Sequence, residues 1–515
     1  MKGRFFALLV AIFPMAASTW AQTTLNATNF PDANFRKALA ASLSVAEGSL
    51  VSAEKIAATK KLDVSGKAIA DLKGIEHFTA LTELYCHENQ LTALDLTQNT
   101  ALEVVSCYNN SLNSLNLSKN SVLSRLYCYE NRLNALDVTK NTELTKFVCY
   151  DNQLSTLDVS KNTSLQELYC GDNSLTTLDV TQNTALTKLV CYNNQLGTLD
   201  LSHNALLENL YCGGNQLTTI NLSQNQLLKE LSCYENELSS LDISRNTALK
   251  NIDCHSNQLP SLDLSQNTQL EELYCYENHL TTLDISKNPQ LTQLWCDGNQ
   301  LSELDLSQNP LLISIDCYKN QLTSLNISHN ADLSVLNCFE NLLSTLDVSK
   351  NPQLTQLWCD NNRLSSLNLS ANAMLTKLFC SNNRLTALDV SRNTSLTQLW
   401  CDGNRISGTA MDALVNSLPT VASGNFTIID TQRNDEGNVC TSSQVNVAKR
   451  KGWTVFDNNA GTSVEYAGSD ETTTVSIIEK TSKNSHRYSL DGRKQPKNPT
   501  KKGIYIVGGR KILVK

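Results

Sequence analysis

The chain predicts a solenoid of short parallel strands, closed at each end by a small cap. Three observations carry this reading. Sixteen cysteines stand 21 residues apart without a slip, from Cys86 to Cys401. An asparagine follows three residues after every one of them, from Asn89 to Asn404. Leucines recur between them in one frame, LxxLxCxxNxL. A strict period over 316 residues means one small unit stacked on itself, each copy burying its apolar side against the next.

Residues 1–21 read as a secretory signal peptide. Lys2 and Arg4 make a positive start, FFALLVAIFPMAAS is apolar, and TWA before Gln22 offers a cleavage point. The apolar run is shorter than the roughly 18 residues a membrane span needs, and no later stretch reaches that length. No cysteine lies near the cut, which argues against a bacterial lipid anchor.

Residues 22–80 are expected to form the N-terminal cap and a lead-in coil. FPDANFRKALAAS has helical apolar spacing after an Asn-Phe-Pro turn. KKLDVSGKAIADLKGIEHFTA then resembles one repeat with Val64 where a cysteine would stand. SVAEGSLVSAEK has too few carboxylates for a calcium loop.

Residues 81–405 hold the sixteen repeats of 21. In the copy Leu81–Ala101, Leu84 and Cys86 are two apart and face the interior of an extended strand, while Tyr85 and His87 face out. Asn89 is expected to close one bend by bonding nearby backbone, and Asn99 the other. Leu94 and Leu96 line the second wall from inside, with Asp95 outside. This pattern resembles the leucine-rich-repeat consensus with Cys in place of one Leu. The implied fold is a leucine-rich-repeat solenoid with a concave face of parallel β-strands, short extended or 3-10 convex segments, and small α/β caps. The resemblance narrows to the internalin J type of bacterial surface leucine-rich-repeat protein, whose 21-residue repeats carry a cysteine ladder. It covers about residues 59–405.

Residues 406–460 read as a C-terminal cap: SGTAMDALVNSLP as helix, NFTIID as strand, CTSSQVNVAKRKGW as helix, TVFDNN as strand. Cys440 is read there as a buried capping residue. Residues 461–476 are Gly, Ser and Thr rich and read as a linker. Residues 477–515 alternate strand and turn, with a hairpin about Gly508-Gly509. The run LDGR, KGIYIV and a terminal GRKILVK resembles the C-terminal sorting domain of the type IX secretion system. The resemblance implies a partner in that secretion machinery, removal of the tail, and a mature protein secreted or held on the outer surface of a Gram-negative bacterium.

Net charge is -8, but the stretch from Glu479 to the C-terminus carries +9 and the signal +2, leaving -19 for the body. So acidic a body excludes nucleic acid as a partner, because phosphate contacts need clustered Lys and Arg. The seven histidines form no HExxH, no nucleophile elbow and no triad order, so no enzyme, cofactor or metal is expected. Parallel in-register cysteines stand at the strand spacing, wider than the roughly 3.8 Å between Cβ atoms of a disulfide, which predicts buried thiols. Asp or Asn recurs fifteen times at the Asp95 position. A solvated, hydrogen-bonded ladder is expected there, with calcium binding as the alternative.

The informative surface is the strand face. Just before a cysteine stand Tyr127, Tyr169, Tyr211, Tyr274, Trp295, Trp358, Phe379 and Trp400, with Tyr85 at the start. Just after stand Tyr129, Tyr150, Tyr192, Tyr234, Tyr276 and Tyr318, with Tyr108 and Phe339. These positions are expected to be exposed, and a row of exposed aromatics marks a recognition surface. Stacking along the sheet for stability is the competing explanation. The expectation is a non-enzymatic adhesin that binds a host-surface or bacterial-surface protein or glycan. The internalin resemblance implies attachment to host cells, other bacteria or biofilm matrix. The alternative is a structural surface or assembly protein with no discrete ligand.

Overall fold

The computed structural model describes residues 22–470 in full. Of the tail it describes the backbone of four strands: Arg487–Ser489, Lys494–Gln495, Gly503–Val507 and Arg510–Val514. The expected signal peptide lies outside the described residues. The chain divides into two units, Met1–Leu238 and Ser239–Lys515.

The first unit opens with the expected helix, Ala33–Leu43, which buries Phe35, Leu39 and Leu43. Asp32 caps it by accepting from the Phe35 N–H at 2.9 Å, and its second oxygen accepts from the Ala70 N–H of the lead-in coil at 2.8 Å. The same carboxylate thus ends the helix and ties it to the first coil. Gly74 has φ +105, and a Cβ there would lie 2.1 Å from the Phe30 ring, so only glycine fits.

From Lys61–Asp63 onward, three-residue strands pair in parallel, each residue opposite its equivalent one repeat later, as in Leu126 opposite Phe147. The first unit carries this ladder to Glu230–Ser232. The second unit runs its own ladder from Asn251–Asp253 to Gln398–Trp400. In both, the Leu of the strand and the following Cys are fully buried, as are Val64 in the lead-in coil and Leu91, Leu96 and Leu102 around it. Each buried leucine contributes roughly 1.5–3 kcal/mol. The second wall is extended, with isolated bridges Asp95 to Asn116 and Asp305 to Asn326. Among the described residues the 3-10 helix is Ile75–His77, in the lead-in coil rather than on the wall of the repeats.

The asparagines act differently from the expected local bend-closers. Asn131 Nδ2 donates to the Cys128 and Tyr129 carbonyls at 3.2 and 3.1 Å, but also to Cys107 of the preceding coil at 3.1 Å. Its Oδ1 accepts from the Leu112 N–H of that coil at 2.9 Å. The second series points backward too: Asn141 Nδ2 donates to Leu117 and Asn120 carbonyls at 3.1 and 2.8 Å. Both corners therefore fasten one coil to the next. Between each cysteine and its asparagine the chain passes through the left-handed region, with φ 54 at Glu88, 50 at Glu130 and 50 at Glu277, and glycine at 214, 298 and 403.

The second unit ends as expected in helix Thr409–Ser417, strand Gly424–Ile429, helix Ser442–Arg450 and strand Trp453–Asp457. The two strands extend the parallel ladder beyond Gln398–Trp400, covering its last coil. The segment expected to be a linker differs at its start. Val464–Glu465 pairs with the strand Trp453–Asp457, and the Tyr466 hydroxyl donates to the Cys440 carbonyl at 3.2 Å. That stretch belongs to the cap because its backbone completes a sheet edge. In the tail, Gly503–Val507 and Arg510–Val514 form the expected hairpin strands.

Burial pushes the ladder thiols up, Cys107 and Cys170 to about 12. No ladder cysteine should react with a hydrophilic maleimide until the chain unfolds; labelling of the native protein would contradict their placement. Asn131→Ala leaves the Leu112 N–H buried and unpaired and takes one of two donors from each of the Cys107, Cys128 and Tyr129 carbonyls, so urea denaturation should show a loss of roughly 1–3 kcal/mol. Glu130→Gly relieves a left-handed non-glycine residue and should be neutral or stabilising. A loss under about 1 kcal/mol for Asn131→Ala would contradict its fastening role.

Candidate functional site

The residues before and after each cysteine flank a buried side chain, so they share the outer face of the strand. Parallel register stacks them into two columns. They are not as exposed as the sequence suggested. Each ring leans on the equivalent side chain of the next coil, and all fourteen expected site residues are half-buried except Trp400, which is 39% exposed.

In the first unit these columns satisfy themselves. His87, Tyr108, Tyr129 and Tyr150 stack face to face, with centroids 4.3, 4.3 and 4.4 Å apart. The stack ends at Gly171. A Cβ there would lie 3.1 Å from the Tyr192 ring, and one at Gly213 would lie 2.4 Å from the Tyr234 ring, so these glycines make room for the next tyrosine. In the other column the Tyr169 hydroxyl donates to Glu167 at 2.8 Å, and Glu167 pairs with Lys146 at 2.7 Å. Lys188 lies 5.7 Å from the centroid of Tyr169 and 5.1 Å from that of Tyr211, whose hydroxyl bonds Glu230. Burial, and then the neighbouring carboxylates, hold the Tyr169 and Tyr211 hydroxyls well above their usual range. Tyr127 stands in this column, one coil before Val148.

The second unit begins in the same manner. His255 stacks on Tyr276 at 4.2 Å and meets Asp253 at 2.5 Å, and the Tyr274 hydroxyl donates to Glu272 at 3.0 Å. Further along, the balance changes. Trp295 packs edge-on against Tyr274 at 4.9 Å, with its indole N–H buried and without a hydrogen-bond partner. Asn337 Oδ1 is likewise buried and unpartnered. Tyr318 stacks on Phe339 at 4.3 Å. Trp358, Phe379 and Trp400 follow one another at 5.7 and 4.8 Å.

Carboxylates join these columns only in the second unit, at Asp253, Asp297, Asp316, Asp360 and Asp402. Sequence reading missed them, although the repeated string Trp-Cys-Asp was visible. Burial pushes the Asp297 carboxyl up to about 6, against a smaller opposing effect of the Tyr318 hydroxyl. Burial pushes Asp360 up to about 7, opposed by the Ser381 N–H that donates to it at 2.8 Å. Asp402 accepts from Ser381 Oγ at 2.5 Å and from Asn458 Nδ2 at 3.0 Å.

The aspartate wall is a hydrogen-bonded ladder. Asp95 accepts from the Thr97 N–H and hydroxyl at 2.9 and 2.7 Å, and Asp137 and Asp179 repeat this with Thr139 and Thr181. These bonds hold the carboxyls below their ordinary range. Turn geometry accounts for the aspartate at this position without a cation. A shallow groove of about 530 Å³ runs along this wall beside Asp158, Asp179 and Asp200, away from the aromatic columns. No group of three metal-ligating side chains is gathered among the described residues, and no helix among them is long and apolar enough to cross a membrane.

No family model matches the chain. Internalin J of Listeria monocytogenes serotype 4b (strain F2365) is 44% identical over 71 residues, which is 14% of this chain and 8% of that protein. The functional domain of InlJ from Listeria monocytogenes, which includes a cysteine ladder, superposes with a TM-score of 0.58 at 33% identity, over 79% of this chain and 82% of that one. An internalin, InlF, from Listeria monocytogenes strain 4b F2365 shares the fold at 21% identity and TM-score 0.55, over 67% of this chain and 99% of that one.

The raised carboxyls set a pH dependence. Unfolded aspartate titrates near about 3.9, so between that pH and about 7 the folded chain holds protons on Asp297 and Asp360 that the unfolded chain has lost. Their contribution to stability is full below the unfolded value and is lost as pH rises through the folded one. The melting temperature should fall from pH 5 to pH 8, and Asp297→Asn with Asp360→Asn should flatten that slope. A slope unchanged in the double variant would contradict the assignment.

Proposed function

The chain belongs to the internalin J type of cysteine-ladder leucine-rich-repeat proteins, and from that premise we propose a non-enzymatic adhesin, secreted or held at the cell surface. Its ligand is a protein or glycan on a host cell, a neighbouring bacterium or the biofilm matrix, bound through the aromatic strand face. The type IX secretion machinery exports it through the tail at 477–515, after the signal peptide at 1–21 directs it out of the cytoplasm. The observation that carries the reading is the contrast between the two units. The tyrosines of the first spend their hydroxyls and faces on one another and on Lys–Glu pairs. The tryptophan region of the second keeps a buried indole N–H unpaired and Trp400 exposed. Groups left unsatisfied on an outer face are what a partner would complete.

The self-satisfied tyrosine stack of the first unit favours a second reading for that part alone, in which the columns cohere the sheet and the chain assembles without a discrete ligand. Replacing Trp295, Trp358 and Trp400 together by alanine should weaken attachment to ligand-bearing cells at least tenfold in a variant that is still secreted, and Trp400→Ala alone, at the exposed ring, should weaken it with the melting temperature near wild type. Unchanged attachment, together with light scattering that shows concentration-dependent assembly, would favour the structural reading.

A further inference from the structure

Every tryptophan within the repeats occurs in the same string, Gln-Leu-Trp-Cys-Asp: Trp295 with Asp297, Trp358 with Asp360, Trp400 with Asp402. Two residues apart on a strand, indole and carboxylate share one face, with the cysteine between them buried. All three pairs lie in the second unit. Sixteen positions flank its eight ladder cysteines; they hold five aspartates and no Lys or Arg. The corresponding sixteen positions of the first unit hold no carboxylate.

The carboxylates of the three pairs are set in place by hydrogen bonds and carry no ion pair among the described residues. The Ser381 N–H fixes Asp360, and Ser381 Oγ with Asn458 fixes Asp402. Asp297 is 3% exposed and Asp402 is fully buried. Among the described residues, no ion pair engages Asp297, Asp316, Asp360 or Asp402. Arg433, whose charged form Asp402 helps to favour, is paired with Asp435 at 3.0 Å and bonds Asn382. A carboxylate withdrawn from water without a counter-charge is costly, and a cation arriving on the outer face beside it lessens that cost. An indole beside it adds a cation–π attraction of about 0.5–2 kcal/mol.

We propose that the indoles of Trp295, Trp358 and Trp400, backed by the buried carboxylates of Asp297 and Asp402 and the half-buried one of Asp360, form a receptor for basic side chains, Lys or Arg, presented by an extended segment of a partner protein: the cation rests on the indole and is drawn by the charge behind it. The inference rests on the strand-face reading above and narrows its ligand. Charge decides between occupants. A neutral sugar would stack on the indoles but leave the carboxylates uncompensated. The pairs stand three and two coils apart, roughly 14 and 10 Å at a strand spacing of about 4.8 Å, which matches basic residues about four and three positions apart in an extended chain.

The test is fluorescence anisotropy of the full chain with a labelled decapeptide carrying Arg at positions 2, 6 and 9, against the same peptide with Gln there. The Arg peptide should bind at least tenfold tighter. Asp297→Asn with Asp360→Asn should cost tenfold or more, whereas Asp158→Asn with Asp179→Asn, the same charge change on the outer wall, should cost less than twofold. Trp358→Leu with Trp400→Leu should also cost tenfold, and decides the matter if the strand-face aspartate variant melts early. Equal losses from the two aspartate variants would reduce the effect to net charge and overturn the proposal. So would equal binding of the Arg and Gln peptides. Neutral-glycan binding lost in the tryptophan variant but kept in the aspartate variant would also overturn it, while leaving the adhesin reading intact. Cell attachment unaffected by either variant would remove both.

Discussion

A buried asparagine stands at each of the two corners of a coil, and each must spend its amide hydrogens in a water-free interior. Neighbouring backbone carbonyls are the acceptors within reach, and many of them belong to the preceding coil. Asn131 bonds Cys107 and Leu112 in this way, and Asn141 bonds Leu117 and Asn120. A slip of one residue would break these bonds at both corners and expose the leucines that alternate with the outer face. Register is therefore held at every step, and columns of outer residues follow from it. The cysteines belong to the same constraint. Each stands in register beside the cysteine of the adjacent coil, and full burial keeps its thiol protonated.

Once the columns are in register, their chemistry depends on which residues fill them. Tyrosine, lysine and glutamate make a surface that closes on itself, as in the first unit. Tryptophan with aspartate makes a different one. The Trp295 indole N–H is left unpaired, and a buried carboxylate without an ion-pair partner has a still larger polar need. The same backbone thus carries a cohesive stretch and a stretch that is chemically incomplete. A binding function requires both, since a rigid sheet holds the incomplete groups in place before a partner arrives.

Much of this was legible in the chain. The period, the buried leucines and cysteines, the lead-in coil around Val64 and both helical caps follow from spacing, because each expresses a rule about which side of a strand or helix faces inward. Other features depend on contacts between residues 20 or more apart, and spacing within one repeat carries no record of them. The backward bonds of the asparagines are of this kind, as is the half-burial of Tyr129 or Tyr192 under the next ring. The left-handed residue after each outer aromatic was marked only by glycine at 214, 298 and 403, and elsewhere hidden by Glu, Asp, Asn, Ser or Lys. Gly171 and Gly213 look like gaps in a tyrosine column, yet they are needed by the rings that lean over them. The Trp-Cys-Asp string was readable, but its weight came only from the burial of its carboxylates.

Native-state hydrogen exchange on the full chain tests the central claim most directly. The amides of Leu112, Leu133 and Leu154 donate to asparagine Oδ1 atoms of the following coil, at 2.9 to 3.0 Å. If the asparagine corners hold the coils in register, these amides exchange as slowly as strand amides such as those of Cys128 and Cys149, and open only with the ladder as a whole. Exchange as fast as in the exposed turns beside Asp137 and Asp158, with strand amides still protected, would mean that backbone pairing alone sets the register and that the asparagines are incidental to it.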